Sequence, residues 1–288
     1  MVPVREIGVA VCGAATLLAL VGFSSGASAH NESQAVTMLG APLTLVQSTT
    51  ALSPPTLRFH RDGRLHAAWI EKNGVQGEVK TAVISADHSA VAQVSVNPPG
   101  AGPEAVHQSP GFAIGVDGEQ FVTWSSANKT PGALFASDLR LARLDSGGAR
   151  VQPPVQVNDD GLAISHTFEH VIAGKNGEIY LAWLDGRNKD RSGAGIMFAC
   201  SQDHGATVGK NLVLDGMACP CCRPMLAQAP DGSLWAAWRK TFEGNVRDIV
   251  VARSTDQGRT FSPPTVVSRD GWVFDACPHR GPSIAFDG

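Results

Sequence analysis

The chain has 288 residues, 43% of them hydrophobic, 17% charged and 6% aromatic, with 31 Gly, 18 Pro and a formal net charge of -3. That balance excludes a collagen-like, coiled-coil or disordered chain. With 23 Lys plus Arg against 26 Asp plus Glu, no basic surplus exists to neutralise phosphates, so no nucleic acid partner is expected.

The N-terminal segment reads as an export leader over residues 1–29. Arg5 supplies the positive start, an apolar stretch runs from Ile7 to Phe23, and Ala27-Ser28-Ala29 forms a small-x-small cleavage site, leaving His30 as the mature N-terminus. The expected location is periplasmic or secreted, with no membrane span after leader removal, because no later stretch is long and apolar enough. Five cysteines then remain, Cys200, Cys219, Cys221, Cys222 and Cys277, an odd number for an oxidising compartment.

A repeat organises the rest. A turn glycine followed six residues later by tryptophan occurs four times, at Gly63 and Trp69, Gly118 and Trp124, Gly177 and Trp183, and Gly232 and Trp238. The glycines are 55, 59 and 55 residues apart, and Asp62, Asp117, Asn176 and Asp231 precede them, which predicts tight hairpins. Each turn leads into a short apolar strand such as Leu65–Trp69, Ile179–Trp183 or Leu234–Trp238. The second half of each repeat is also extended: Ile196–Cys200 and Ile249–Arg253 each run into a polar turn, and Thr265-Val266-Val267 resumes an extended run. Four strands per repeat of this length predict an all-β propeller with four complete blades.

The segment Ser254-Thr255-Asp256-Gln257-Gly258-Arg259-Thr260-Phe261 resembles the Asp box, Ser-x-Asp-x-Gly-x-Thr-aromatic, of the sialidase-like (BNR repeat) propellers. Ser201, Asp203, Gly205 and Thr207 repeat it, with Val208 at the aromatic place; residues 85–89 and 145–148 are degraded copies. The resemblance implies a turn between the third and fourth strands of a blade whose Asp bonds local amides, a structural role. It also implies about six blades. Pro282 to Gly288 reads as the opening strand and turn of a fifth, so the chain is expected to be a C-terminally truncated piece over residues 30–288 of the propeller domain.

Blade geometry gathers on one face the residues after each Trp and those before each opening strand. That selects Arg187, Arg223, Arg239, Arg247 and Arg280 as a pool for binding a carboxylate bidentately, against the alternative that they pair with Asp185, Asp190, Glu243 and Asp248. The resemblance implies an exo-alpha-sialidase-type glycoside hydrolase acting on sialylated or related acidic glycans, needing no cofactor. Its Phe/Tyr-Arg-Ile-Pro signature is missing, since Leu57-Arg58-Phe59 does not match, and the single tyrosine, Tyr180, occupies the packing position filled by His66, Phe121 and Trp235 in the other repeats. The alternative function is a non-catalytic propeller binding a ligand, protein or soft metal.

The cysteines carry that alternative. Cys219-Pro220-Cys221-Cys222 and Cys277-Pro278-His279 precede consecutive opening strands, and the chain resembles a subgroup of exported sialidase-like proteins with Cys-x-Cys-Cys and Cys-Pro-x-x-Gly-Pro loops. Cys219, Cys221, Cys222, Cys277 and His279 read either as a copper or zinc site or as a disulfide stapling two blades. Cys200 reads as a buried small apolar residue, and His166 and His170 as packing residues.

Overall fold

A computed structural model of the protein describes residues 5–9, 43–74, 76–87, 91–103, 108–187, 193–276 and 278–287. It divides into two compact units, residues 1–50 and 51–288. In the first, β1 (Arg5–Val9) pairs antiparallel with β2 (Leu43–Ser48). Apart from Arg5–Val9, the expected leader lies outside the described residues. Among the described residues no helix is long and apolar enough to cross a membrane.

The second unit consists of four antiparallel sheets in chain order. In the first, β3 (Ala51–Leu52) and β4 (Thr56–Phe59) both pair with β5 (Leu65–Asn73), which is followed by β6 (Gln76–Ile84) and β7 (Val91–Ser95). The opening strand is split in two at Ser53-Pro54-Pro55, because proline has no N–H to give the ladder. The second sheet is β8 (Gly111–Ile114), β9 (Gln120–Ala127), β10 (Ser137–Leu144) and β11 (Val155–Gln156). The third is β12 (His166–Ala173), β13 (Ile179–Asp185), β14 (Ala194–Ser201) and β15 (Leu212–Ala218); the fourth is β16 (Met225–Gln228), β17 (Leu234–Arg239), β18 (Ile249–Ser254) and β19 (Thr265–Val266). A single 3-10 turn, Glu243–Asn245, is the one helical element among the described residues. The four repeat glycines occupy the left-handed region, φ +84 to +90, as the opening hairpins require.

Strand alternation then builds the core as three layers, one between each pair of neighbouring blades. Along β13, Ile179, Leu181 and Trp183 pack with Phe121, Leu139 and Leu141 of the second blade. Tyr180, Ala182 and Leu184 on its other face pack with Leu226, Leu234 and Trp238 of the fourth. Trp124 and Phe112 form the layer against Ala68, Ile70 and Val79 of the first. A period of two thus places Trp124, Trp183 and Trp238 in the layer each shares with the blade before it, where they are at most 1% exposed.

The Asp boxes close the same layers at one end of the blades. Asp256 accepts from the Ser254 hydroxyl (2.7 Å), the Thr260 amide (2.9 Å) and the Thr260 hydroxyl (2.6 Å), and Asp203 is bonded likewise by Ser201 and Thr207. These donors hold both carboxyls down at about 2. Gly258 (φ +83) lies against the Phe198 ring, where a Cβ would collide, and Gly205 (φ +77) lies more loosely against Phe121, so each box rests on the preceding blade. Residues 282–287 form no β-ladder, and the Phe286 ring lies 6.1 Å from Trp235 on the fourth blade.

Candidate functional site

The pool of five arginines separates by what each guanidinium touches. Arg187 forks onto Asp185 (Nε to Oδ1 2.8 Å, Nη2 to Oδ2 2.9 Å) and lies 3.4 Å from Asp160. His166, fully buried, donates from Nδ1 to the Ser137 carbonyl at 2.5 Å and turns Nε2 to Asp160 (3.2 Å) and Asp185 (3.5 Å). Trp183 Nε1 adds a donor to Asp185. The Arg187 charge is therefore consumed in a structural ion cluster that ties the second blade to the third. This is the alternative pairing reading, realised with Asp185 and Asp160; Asp190 lies outside the described residues.

Arg239 and Arg247 are also engaged. Arg239 donates to the Arg247 carbonyl (2.8 Å) and the Arg280 carbonyl (3.3 Å), and its guanidinium lies 4.7 Å over the Trp272 ring. Arg247 bonds the Asn245 side chain (2.9 Å) and the Ala276 carbonyl (2.8 Å). These contacts reach Trp272, Ala276 and Arg280 of the segment that follows the fourth blade. Arg280 is exposed and contributes its backbone to this lattice.

Arg223 differs. It projects from the loop ahead of β16 to the Ser109 carbonyl of the second blade (2.8 Å). There it meets Arg58 of β4, a residue the sequence reading set aside. Burial lowers the Arg58 pKa, and the Arg223 guanidinium beside it lowers it further. Among the described residues neither arginine is in a salt bridge.

Two groups from β12 complete this centre. The strand carries a bulge between Thr167 and His170, with Phe168 at φ +57, which resets the alternation and buries both Glu169 and His170. Burial pushes the Glu169 carboxyl up, against the opposing pull of Arg223 and hydrogen bonds involving Gly111 and Ser125. Burial takes His170 down to about 3, helped by Arg223 and Arg58, and its Nδ1 accepts from the Leu226 amide at 3.0 Å. His170 is thus neutral above mildly acidic pH. The result is a pair of guanidiniums beside a buried carboxyl whose charged form desolvation disfavours.

The thiols form a second, separate group. The Cys222 thiol donates to Cys219 Sγ at 3.2 Å, and Cys221 Sγ lies 3.7 Å from Cys219 Sγ; all three side chains are buried beneath Phe168. Arg247 Nη1 lies 3.6 Å from Cys219 Sγ. The Cys222 hydrogen bond, more than the Arg247 charge, brings the Cys219 thiol down to about 5, and the same bond raises Cys222. Cys277 lies outside the described residues. His279 is exposed, 6.1 Å from the Phe168 ring, and does not join the sulfur group.

Tyr180 is fully buried, its ring 6.2 Å from Phe198, and burial raises its pKa. It packs between the third and fourth blades, as its repeat position predicts. Cys200 is half-buried in β14, bonded by Gln202 at 2.9 Å, with burial pushing its thiol up to about 11.

No protein-family model matches the chain, and no curated protein matches it. Among solved structures, the NanB sialidase from Streptococcus pneumoniae aligns with a TM-score of 0.51 at 9% identity, covering 76% of this chain and 52% of the other. A leech intramolecular trans-sialidase complexed with 2,7-anhydro-Neu5Ac aligns with a TM-score of 0.50 at 12% identity, covering 76% and 51%. The chain spans about half the length of these two sialidases. The shared feature is the fold, a sialidase-like β-propeller.

Proposed function

We propose that this chain is an exported, sialidase-type propeller that recognises the carboxylate of an acidic glycan of the sialic acid class through Arg58 and Arg223. The observation that supports the reading is the uncompensated pair: two guanidiniums brought together without an ion-paired carboxylate repel one another, and a bound carboxylate removes that repulsion while accepting their parallel N–H groups. Glu169 lies beside the pair, and burial disfavours the charged form of its carboxyl. The single tyrosine of these 288 residues is sealed in an interblade layer, so the role proposed rests on the two arginines, and it is recognition of the carboxylate.

Calorimetric titration with N-acetylneuraminic acid and with its uncharged methyl ester tests this. The acid is expected to bind and the ester to bind at least about tenfold more weakly, with Arg58→Ala and Arg223→Ala each removing a charge-assisted contact worth about 1.5–3 kcal/mol. Equal affinity for acid and ester would overturn the reading.

A further inference from the structure

We propose that His170 is a ligand-binding residue of the arginine site, a neutral imidazole locked as the Nε2–H tautomer that donates a third hydrogen bond to the carboxylate held by Arg58 and Arg223. The proposal rests on the glycan reading above and adds to it a donor without charge. All four blades contribute to this centre through the innermost strand or the segment leading into it. Arg58 comes from β4, the Ser109 carbonyl that Arg223 bonds from the segment ahead of β8, His170 from β12, and Arg223 from the loop ahead of β16.

One hydrogen bond fixes the tautomer. The Leu226 amide of β16 lies 3.0 Å from His170 Nδ1. A backbone N–H can only donate, so Nδ1 presents its lone pair and the proton of the neutral ring sits on Nε2. His170 is 7% exposed, and the Leu226 amide is its one hydrogen-bond partner among the described residues. Nε2–H is thus left without an acceptor in a buried place, a costly state that a ligand oxygen relieves.

The charge of the ring decides what it can do. Burial and the positive charges of Arg223 and Arg58 hold the imidazole down to about 3. Glu169, beside it on β12, is a buried carboxyl whose own charged form desolvation disfavours. A proton on Nδ1 would also have to displace the Leu226 amide. The ring is therefore no base, because one nitrogen is bonded and the other already carries its proton. Donation is what remains. A carboxylate has lone pairs for about four donors, so it accepts from both guanidiniums and from the imidazole at once.

The backbone bears a strain for this placement. The bulge between Thr167 and His170, with Phe168 at φ +57, brings both Glu169 and His170 to the arginine centre, where a regular strand sends neighbours to opposite faces. Left-handed outliers of this kind persist where the surrounding structure holds them, and they gather at ligand sites.

The full chain, isotope-labelled at its histidine nitrogens, is followed by long-range proton–nitrogen NMR, with the His170 signals assigned by their loss in a folded His170→Gln variant. The free protein should show an unprotonated Nδ1 and a protonated Nε2 from about pH 8 down to about pH 5. Adding N-acetylneuraminic acid should move the Nε2 resonance. In calorimetry, His170→Phe should lower the affinity for the acid at least about tenfold, and His170→Gln, which keeps an N–H donor, should lower it less; circular dichroism confirms that each variant is folded. A protonated Nδ1 or a doubly protonated ring in the free protein would overturn the proposal whether or not ligand binds. So would an Nε2 resonance that stays in place while the parent binds the acid, or equal weakening in the two variants; both of these leave the arginine reading standing. Failure of the parent to bind the acid at all overturns the glycan reading and this proposal with it.

Discussion

Two groups of ligand-type side chains lie near one another in sequence and differ in how their charge is met. Asp160, His166 and Asp185 come as close together as the three cysteines do, yet the chain's own donors already fill the space between the carboxylates: Arg187 forks onto Asp185 and reaches Asp160, and His166 Nε2 sits between the two. Among the described residues the sulfur group has one arginine, Arg247, at its edge, 3.6 Å from Cys219 Sγ. Proximity of ligand atoms therefore does not make a metal site; what decides is whether a protein cation already occupies the centre. The same criterion separates Arg187, which is consumed, from Arg223, which is not.

Removing the internal cation should have the largest effect. Arg187→Ala leaves two buried carboxylates without their arginine and is expected to cost about 3–5 kcal/mol in urea denaturation, the usual result of breaking a buried pair. Arg223→Ala, which breaks no ion pair, should stay within about 1 kcal/mol of the parent. Equal losses in the two variants would erase the distinction between a structural and a ligand-facing arginine.

A smaller effect tests the opposite end of the blades. Gly258→Ala drives a methyl into the Phe198 ring at φ +83, whereas Gly232→Ala meets nothing at φ +84. Both incur the left-handed strain of about 1 kcal/mol, and Gly258→Ala should lose roughly a further 1–3 kcal/mol for overpacking. If thermal melts show the two alike, the Asp-box turn is not locked to the neighbouring blade.

The smallest effect is in acid. Asp203 and Asp256 are held at about 2, below the ordinary value of 3.8, so the folded state binds fewer protons there than the unfolded one. Their contribution is complete above about pH 4 and is lost as pH falls through about 2. Asp203→Asn should flatten the stability profile in that window and leave its slope at neutral pH unchanged; an altered slope near pH 7 would show a role beyond the turn.

Much of this was legible in the residues. The Gly-to-Trp interval of six marked each opening hairpin because a left-handed glycine and a fixed strand length determine where the next inward side chain falls. The Asp boxes were legible for a similar reason, since all their bonds lie within four residues. Tyr180 was placed by its repeat position. The arginines were not: Arg187, Arg223, Arg239 and Arg247 are alike in a string of letters, and Arg58 was passed over because its neighbours do not spell the Phe/Tyr-Arg-Ile-Pro signature. The bulge at Phe168 had no signal of its own, and without it Glu169 and His170 would not both be buried.

Local interactions thus determined the blades, their turns and the sulfur-bearing loop, because each depends on backbone geometry and hydrogen bonds among near neighbours in the chain. Tertiary structure alone decided which charges are spent and which remain. Charge repulsion and desolvation act between residues such as Arg58 and Arg223, which lie on different blades far apart in sequence and meet only when the blades assemble.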